Sequence, residues 1–282
     1  MNDRIEKDSV GAVRVPADAY YGAATARSLE NFPIGRDKFP RAFIRSLGMT
    51  KAACAEAHAE LDTMDRQLVD LIVAASREVI EGKMDEHFPL VVWQTGSGTH
   101  TNMNANEVIA NRANELAGKP LGSYSPVHPN DHVNRGQSSN DVIPAAMHVA
   151  AVAELESSLL PAVTELQNGL NEKVTLWKDL LKIGRTHLMD AVPMTVGQEL
   201  SAGVRQLEAG RERIERSIDD LLELPLGGTA IGTGLNAPPG FAEAAVKHLS
   251  AYAGRPFVTA KNRFAGQRAH DAIVSASGAL RG

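Results

Sequence analysis

The chain has very little of what several classes of protein require. It contains one cysteine, Cys54, in 282 residues, which excludes an internal disulfide framework and a thiolate-rich metal site. Only 5% of the residues are aromatic, and a chain poor in aromatics but rich in alanine and leucine favours helix over sheet. No uninterrupted apolar run approaches the roughly 20 residues of a membrane span. The net charge of -5, with both signs interspersed, argues against a nucleic-acid partner, which would need a clustered basic face.

The N-terminal residues lack the apolar core of a signal peptide. Four of them are charged: Asp3, Arg4, Glu6 and Lys7. We therefore expect no secretory signal, and the absence of a membrane-length run adds to this. Together these features predict a cytoplasmic protein that does not enter a membrane.

Apolar spacing predicts mainly helical structure in the first half of the chain. Repeats of three and four residues predict helices over 41–61 and from Asp65 to Gly82. A third helix follows the polar loop at 95–104. Residues 121–137 are predicted to be irregular, because their prolines disfavour helix.

From Ser138 an apolar stripe continues for about ten turns, with a cap at Ser139 or Asn140 and a kink at Pro161. A comparable helix is predicted over 193–224. Helices this long, with apolar seams and no predicted sheet, are typical of a bundle that oligomerises. A last helix, from about Phe264, is still apolar-periodic at the final residue, so we expect the sequence to be cut inside a helix.

The predicted fold is therefore mainly α. A mixed N-terminal helical domain is expected over 1–137, followed by a long-helix bundle domain over 138–282.

Three polar loops have the composition of an active site. The stretch 184–193 places His187, beside Thr186, between two long helices, and histidine is the side chain whose pKa lies nearest neutrality. The loop at 95–104 offers the hydroxyls of Ser97 and Thr99 at the start of a helix, where backbone amides and the helix dipole favour an anion.

The third loop, 128–141, repeats this arrangement of donors at a helix start. His128 and His132 are four apart, but Pro129 prevents them from sharing a helical face, so a zinc site is not predicted. Two donor-rich helix starts fit a substrate with two negative groups, such as a small dicarboxylate. A Ser–His–Asp hydrolase is disfavoured, because no G-x-S-x-G motif occurs.

At these loops the chain resembles the fumarase/aspartase superfamily, and most closely class II fumarase. The motifs that carry the resemblance are QTGSGTHTNMNANEVIANR (94–112), HPNDHVNRGQSSND (128–141), GRTHLMDAVPMTVGQE (184–199) and LPLGGTAIGTGLN (224–236), with weaker similarity over 10–32. The resemblance implies a helical homotetramer whose active sites are shared between subunits. It also implies reversible hydration of fumarate to malate, without cofactor or metal, through a carbanion stabilised as its aci-form.

The resemblance also implies roles for individual residues. His187 would be the catalytic acid/base that acts on the hydroxyl. The residues implied in substrate binding are Ser97, Gly98, Thr99, Ser138, Ser139, Asn140 and Thr186. The residues that resemble a second carboxylate site are His128, Pro129, Asn130 and Asp131.

Two alternatives remain open beside fumarate hydratase. An ammonia lyase of the aspartase type is one, although His187 and the pair Ser138-Ser139 favour fumarase. The other is a truncated, non-catalytic assembly protomer. The family's serine loop, Gly-Ser-Ser-x-Met-Pro-x-Lys-x-Asn, does not occur in the 282 residues. We therefore expect the chain by itself to show no turnover, and the small C-terminal domain to be absent with that loop.

Overall fold

The computed structural model of the chain describes residues 3–8 and 10–282. Contacts divide the chain into two compact units, one of Met1–Ala151 with Leu222–His270 and one of Val152–Leu221 with Asp271–Gly282. Both are mainly helical, as the composition predicts. The expected domain division at residue 138 falls beside the first turn of a helix, and it stays a prediction.

The first unit contains two small sheets and most of the helices. Its strands are β1 (Asp3–Asp8), β2 (Gly11–Pro16), β5 (Glu223–Leu224) and β6 (Val258–Thr259). Its helices are α1 (Ala23–Asn31), α2 (Arg41–Glu60), α3 (Arg66–Ile80), α4 (Thr99–Leu116), most of α5 (Ser139–Glu154), α8 (Phe241–Ala253) and α9 (Arg263–Arg268). β1 pairs antiparallel with β2, and β5 pairs parallel with β6.

Helix α2 is the central element of this unit, because it packs against α3, α4 and α8. Leu47, Ala52 and Ala53 on α2 are fully buried, and the alanines let the neighbouring helices approach closely. Asp65 begins α3 as predicted, since its carboxylate accepts a hydrogen bond from the backbone N–H of Gln67 at 2.8 Å.

The second unit is built on long helices. Its named elements are α6 (Leu160–Leu176), β3 (Leu181–Thr186), β4 (Met189–Thr195), α7 (Val196–Leu221) and α10 (Asp271–Arg281). α7 packs against both α6 and α10. A π-helical turn, Leu155–Leu159, lies just before Pro161, at the predicted irregularity of the long helix.

The structure differs from the sequence predictions at several places. The stretch around His187 forms an antiparallel β-hairpin, where no strand was predicted. Pro129–Val133 forms a π-helical turn that starts at the proline, because the missing N–H is not needed in a first turn. Ser138, rather than Ser139 or Asn140, caps α5. The last predicted helix is broken between α9 and α10.

The continuous helical stretch Ser139–Leu176 is the one helix of the described residues that is long and apolar enough to cross a membrane. The mean hydropathy of its apolar part of 18 residues is 1.2, and 56% of that part is buried inside the protein. Core helices of soluble proteins pass the same test.

Candidate active site

The first predicted binding loop lies at the start of α4. Gln94 holds it, because its side-chain oxygen accepts from the N–H of Thr101 at 3.0 Å. Gly98 has φ 69°, which favours glycine, and a Cβ there would come within 3.0 Å of Ile143 on α5. The hydroxyls of Ser97 and Thr99 lie 2.9 Å apart beside this turn.

The second binding loop lies at the start of α5 and forms a reciprocal cap. The hydroxyl oxygen of Ser138 accepts from the N–H of Asn140 at 3.3 Å, and Asp141 accepts from the N–H of Ser138 at 2.9 Å. The other carboxylate oxygen of Asp141 accepts from the N–H groups of Gly227 at 3.0 Å and Thr229 at 2.8 Å. Burial raises the pKa of Asp141 to about 6, although these hydrogen bonds and the charge of Lys51 act in the opposite direction.

The starts of α4 and α5 are neighbours. The side-chain amide of Asn102 donates to the hydroxyl oxygen of Ser139 at 3.1 Å, and Gly98 packs on Ile143. The glycine-rich stretch after β5 joins them, since the amide of Asn140 donates to the carbonyl of Ala230 at 2.8 Å. The structure therefore brings the predicted residues of 97–99 and 138–140 together, and the dipoles of both helices favour an anion at this place.

A buried lysine lies beneath the two helix starts. Lys51, on α2, is fully buried and donates to the side-chain oxygens of Asn134 at 3.0 Å and Gln137 at 2.8 Å. Burial lowers the pKa of its ammonium to about 7, while the nearby Cys54 and Asp141 favour the charged form. Burial also raises the pKa of the Cys54 thiol, so this cysteine is not a reactive thiolate.

Thr186 and His187 belong to the second unit and lie at the tip of the β3–β4 hairpin. His187 and Leu188 form its two-residue turn with φ of 51° and 62°, as in the turns that match the twist of a hairpin. Exposed Arg185 and Asp190 pair at 3.0 Å across the strands. The histidine side chain is exposed.

The residues of the predicted second carboxylate site form the π-helical turn and its cap. The ring nitrogen Nδ1 of His128 accepts from the N–H groups of Asn130 and Asp131, each at 3.2 Å. His132 accepts from the N–H of His128 at 2.8 Å, and burial lowers the pKa of His132. No group of three metal-ligating side chains occurs among residues 3–8 and 10–282.

The supporting role of four polar residues could not be predicted from the sequence: Lys51, Asn102, Asn134 and Asp141. Lys51, Asn134 and Asn102 form a chain of hydrogen bonds that ends at Ser139, and Asp141 accepts from the N–H of Ser138 at the start of α5. One signal was available for Lys51, which is a charged residue among the small apolar residues of α2.

The family described as Lyase matches residues 11–282, and the chain belongs to it. This result confirms the resemblance to the fumarase/aspartase superfamily.

The similar proteins within this family include class II fumarate hydratases. That of Pseudomonas aeruginosa (class II 1) is 55% identical over 278 residues, which cover 99% of this chain and 60% of that protein. The crystal structure of a class II fumarase from Schistosoma mansoni matches with a TM-score of 0.95 and 42% identity, over 99% of this chain and 62% of that one. A fumarate lyase:delta crystallin from Brucella melitensis matches with a TM-score of 0.96 and 40% identity, over 99% and 61% of the two chains. The chain therefore spans about 60% of the length of these relatives.

Proposed function

We propose that the chain is part of a fumarate hydratase, which interconverts fumarate and (S)-malate. The observation that carries this proposal is the contact between the donor-rich starts of α4 and α5, linked by the bond from Asn102 to Ser139. The identity of 55% to a class II fumarate hydratase supports the choice of reaction.

A dicarboxylate fits the paired helix starts because its charges are balanced there by neutral donors and helix dipoles. Ser97, Thr99, Ser139 and Asn140 supply hydroxyl and amide groups for a carboxylate. When a base takes the proton from the carbon beside that carboxylate, negative charge develops on the carboxylate oxygens. Donors that are already in place stabilise this aci-form more than the substrate, which is what lowers the barrier.

His187 would serve as the acid/base at the hydroxyl of malate, with Thr186 binding substrate beside it. The exposed tip of the hairpin leaves both free to meet a ligand. In the hydration direction the histidine would take a proton from water, and in the dehydration direction it would return that proton to the departing hydroxyl.

We further propose a homotetramer that assembles through the second unit, with active sites shared between subunits. Apolar side chains of this unit are exposed, with Leu188 at 97% and Met189 at 70%. A groove of about 490 Å³ between α6, α7 and α10 is lined largely by apolar side chains. Large exposed apolar surfaces of this kind are typical of subunit interfaces.

The turn of His128, Pro129, Asn130 and Asp131 is proposed as a second carboxylate site. It would need the His128 ring to donate, because Nδ1 already accepts two backbone N–H groups. We propose no cofactor and a cytoplasmic location for the complete enzyme.

The test is turnover by a chimera that continues this chain after Gly282 with the remaining length of the Pseudomonas aeruginosa relative. We expect it to hydrate fumarate, and a His187→Ala chimera to be slower by about 10²-fold or more. The chain of 282 residues by itself should show no turnover. Release of ammonia from aspartate without hydration of fumarate would instead support the aspartase-type reaction. A chimera that converts neither substrate would contradict the proposal.

A further inference from the structure

The orientation of the buried amides around Lys51 follows from the chemistry of its ammonium. An ammonium group has three N–H donors and no acceptor, and the neutral amine of lysine still has two N–H groups, one for each neighbouring amide. The atoms of Asn134 and Gln137 that face Lys51, at 3.0 and 2.8 Å, are therefore oxygens in either state. The opposite end of Gln137 agrees with this assignment, since its amide nitrogen donates to two backbone carbonyls, of Val133 at 3.0 Å and Arg135 at 3.2 Å.

The orientation of the Asn134 amide in turn determines the orientation of the Asn102 amide. The same oxygen of Asn134 accepts from the Nδ2 of Asn102 at 3.1 Å. If the amide of Asn102 were reversed, two carbonyl oxygens would face each other. The observed orientation leaves Asn102 Oδ1 buried and without a partner in the described part of the chain. Reversing the amide would leave Nδ2 at that position without a partner and would also lose the bond to Asn134, so the neighbours favour the observed orientation.

The last member of this chain of hydrogen bonds is Ser139. Its hydroxyl oxygen accepts the second N–H of Asn102 at 3.1 Å. The hydroxyl hydrogen of Ser139 must therefore point away from Asn102. None of the described residues accepts it, and Ser139 as a whole residue is 8% exposed. A hydroxyl in this state is a ready donor to a carboxylate.

We propose that Lys51 is a positioning residue that acts through Asn134 and Asn102 and directs the hydroxyl of Ser139 to donate to a bound carboxylate. We call these four residues the polar relay. The carboxylate rests on the proposed function, whereas the orientation of the relay does not. If Lys51 had only a packing role, its substitution would change stability but would not change the orientation of the Asn102 amide or the Ser139 hydroxyl.

The first experiment needs no ligand. Exchange of the Asn102 side-chain amide hydrogens with deuterated water is followed by NMR in the wild type, Lys51→Met and Lys51→Gln, with the signal assigned from Asn102→Ala. Methionine cannot donate a hydrogen bond, and glutamine can either donate or accept. Neither residue therefore fixes the orientation of the Asn134 and Asn102 amides. We expect exchange to be faster by about tenfold in either variant, which corresponds to one weakened hydrogen bond.

The matched control is Ile72→Val on α3, which is also fully buried but forms no hydrogen bond to a residue of the polar relay. Unchanged exchange in a folded Lys51 variant overturns the proposal, and Lys51→Gln decides it if Lys51→Met does not fold.

The second experiment takes the chimera with the remaining length of the Pseudomonas aeruginosa relative as its wild type. It measures the dissociation constant of succinate, an unreactive dicarboxylate, by calorimetry in a double-mutant cycle. Lys51→Met should weaken binding in the wild type and have little further effect beside Ser139→Ala, because the two act through one hydroxyl. Independent effects of the two substitutions would overturn the proposal. If the wild type does not bind succinate, the proposed function is at fault, and the exchange experiment still decides the relay.

Discussion

Lys51 should make the stability of the protein depend on pH in a window where few other groups titrate. The ammonium is fully buried, and it donates hydrogen bonds to two side-chain amide oxygens. Its pKa falls from an ordinary 10.5 to about 7. Between these values the unfolded chain binds a proton that the folded protein does not hold, so the free energy of unfolding rises as the pH rises.

The magnitude follows from the two pKa values. Each unit of difference corresponds to about 1.4 kcal/mol. Between about pH 7 and pH 8.5, linkage gives a gain of about 1.6 kcal/mol, because the folded lysine is half protonated at the start and almost neutral at the end. The raised pKa of Cys54 acts in the opposite direction, but only toward the upper end of this window and beyond.

The assay is urea unfolding followed by circular dichroism at several pH values across this window. The wild type should gain stability with pH, and Lys51→Met should not. Lys83→Met is the control, since exposed Lys83 pairs with Glu81 and its pKa is raised rather than lowered. Wild type and Lys51→Met profiles that run parallel would refute the reasoning.

Three further substitutions test the groups that hold the loops, each by urea unfolding. Glu107→Gln should cost about 2–3 kcal/mol, because the buried carboxylate accepts three backbone N–H groups and the Thr25 hydroxyl at the start of α1, and an amide cannot accept them all. Gly227→Ala should cost about 3 kcal/mol, because φ is 85° and the new Cβ would lie 2.5 Å from that of Ala242. Asp141→Asn should cost about 2 kcal/mol, because one of its three backbone donors would face an amide nitrogen.

The common control for these three is Glu243→Gln, which changes an exposed carboxylate in the first turn of α8. Its effect should stay within about 0.5 kcal/mol. Equal losses in the control and the buried variants would contradict the assignment of these groups as supports.

The helices of the first unit could be predicted because their periodicity is local. The apolar spacing over 41–61 gives α2 to within a residue, and Asp65 marks the start of α3 by its short polar side chain. Both signals arise from neighbours in the sequence, so no tertiary information is needed.

The hairpin around His187 could not be predicted in the same way. Its strands are mostly exposed, so they lack the alternating apolar pattern of a half-buried strand. Its turn uses His187 and Leu188 with positive φ in place of Asn-Gly or Asp-Gly, which are the usual sequence signals. The polar composition predicts a loop between two helices here, and that prediction is wrong about the conformation, which is a hairpin.

The buried charges were missed for a different reason. A lysine on a helix is usually exposed, and only its distant partners show that Lys51 is not. Asn134 and Gln137 lie more than 80 residues away in the sequence, and spacing cannot pair them with α2.

The buried carboxylates and the hydroxyls at the helix starts have different roles in the site. Asp141 and Glu107 use their oxygens on backbone N–H groups, so they hold loops and have little capacity left for a ligand. Ser97, Thr99 and Ser139 carry no charge. One hydroxyl hydrogen is used between Ser97 and Thr99, and the remaining ones can turn toward a carboxylate. This arrangement keeps negative side chains in structural roles where a dicarboxylate is proposed to bind. Substitution of Asp141 should therefore change stability first, whereas Ser139→Ala should change affinity first, and the two effects can be measured separately on the same chain.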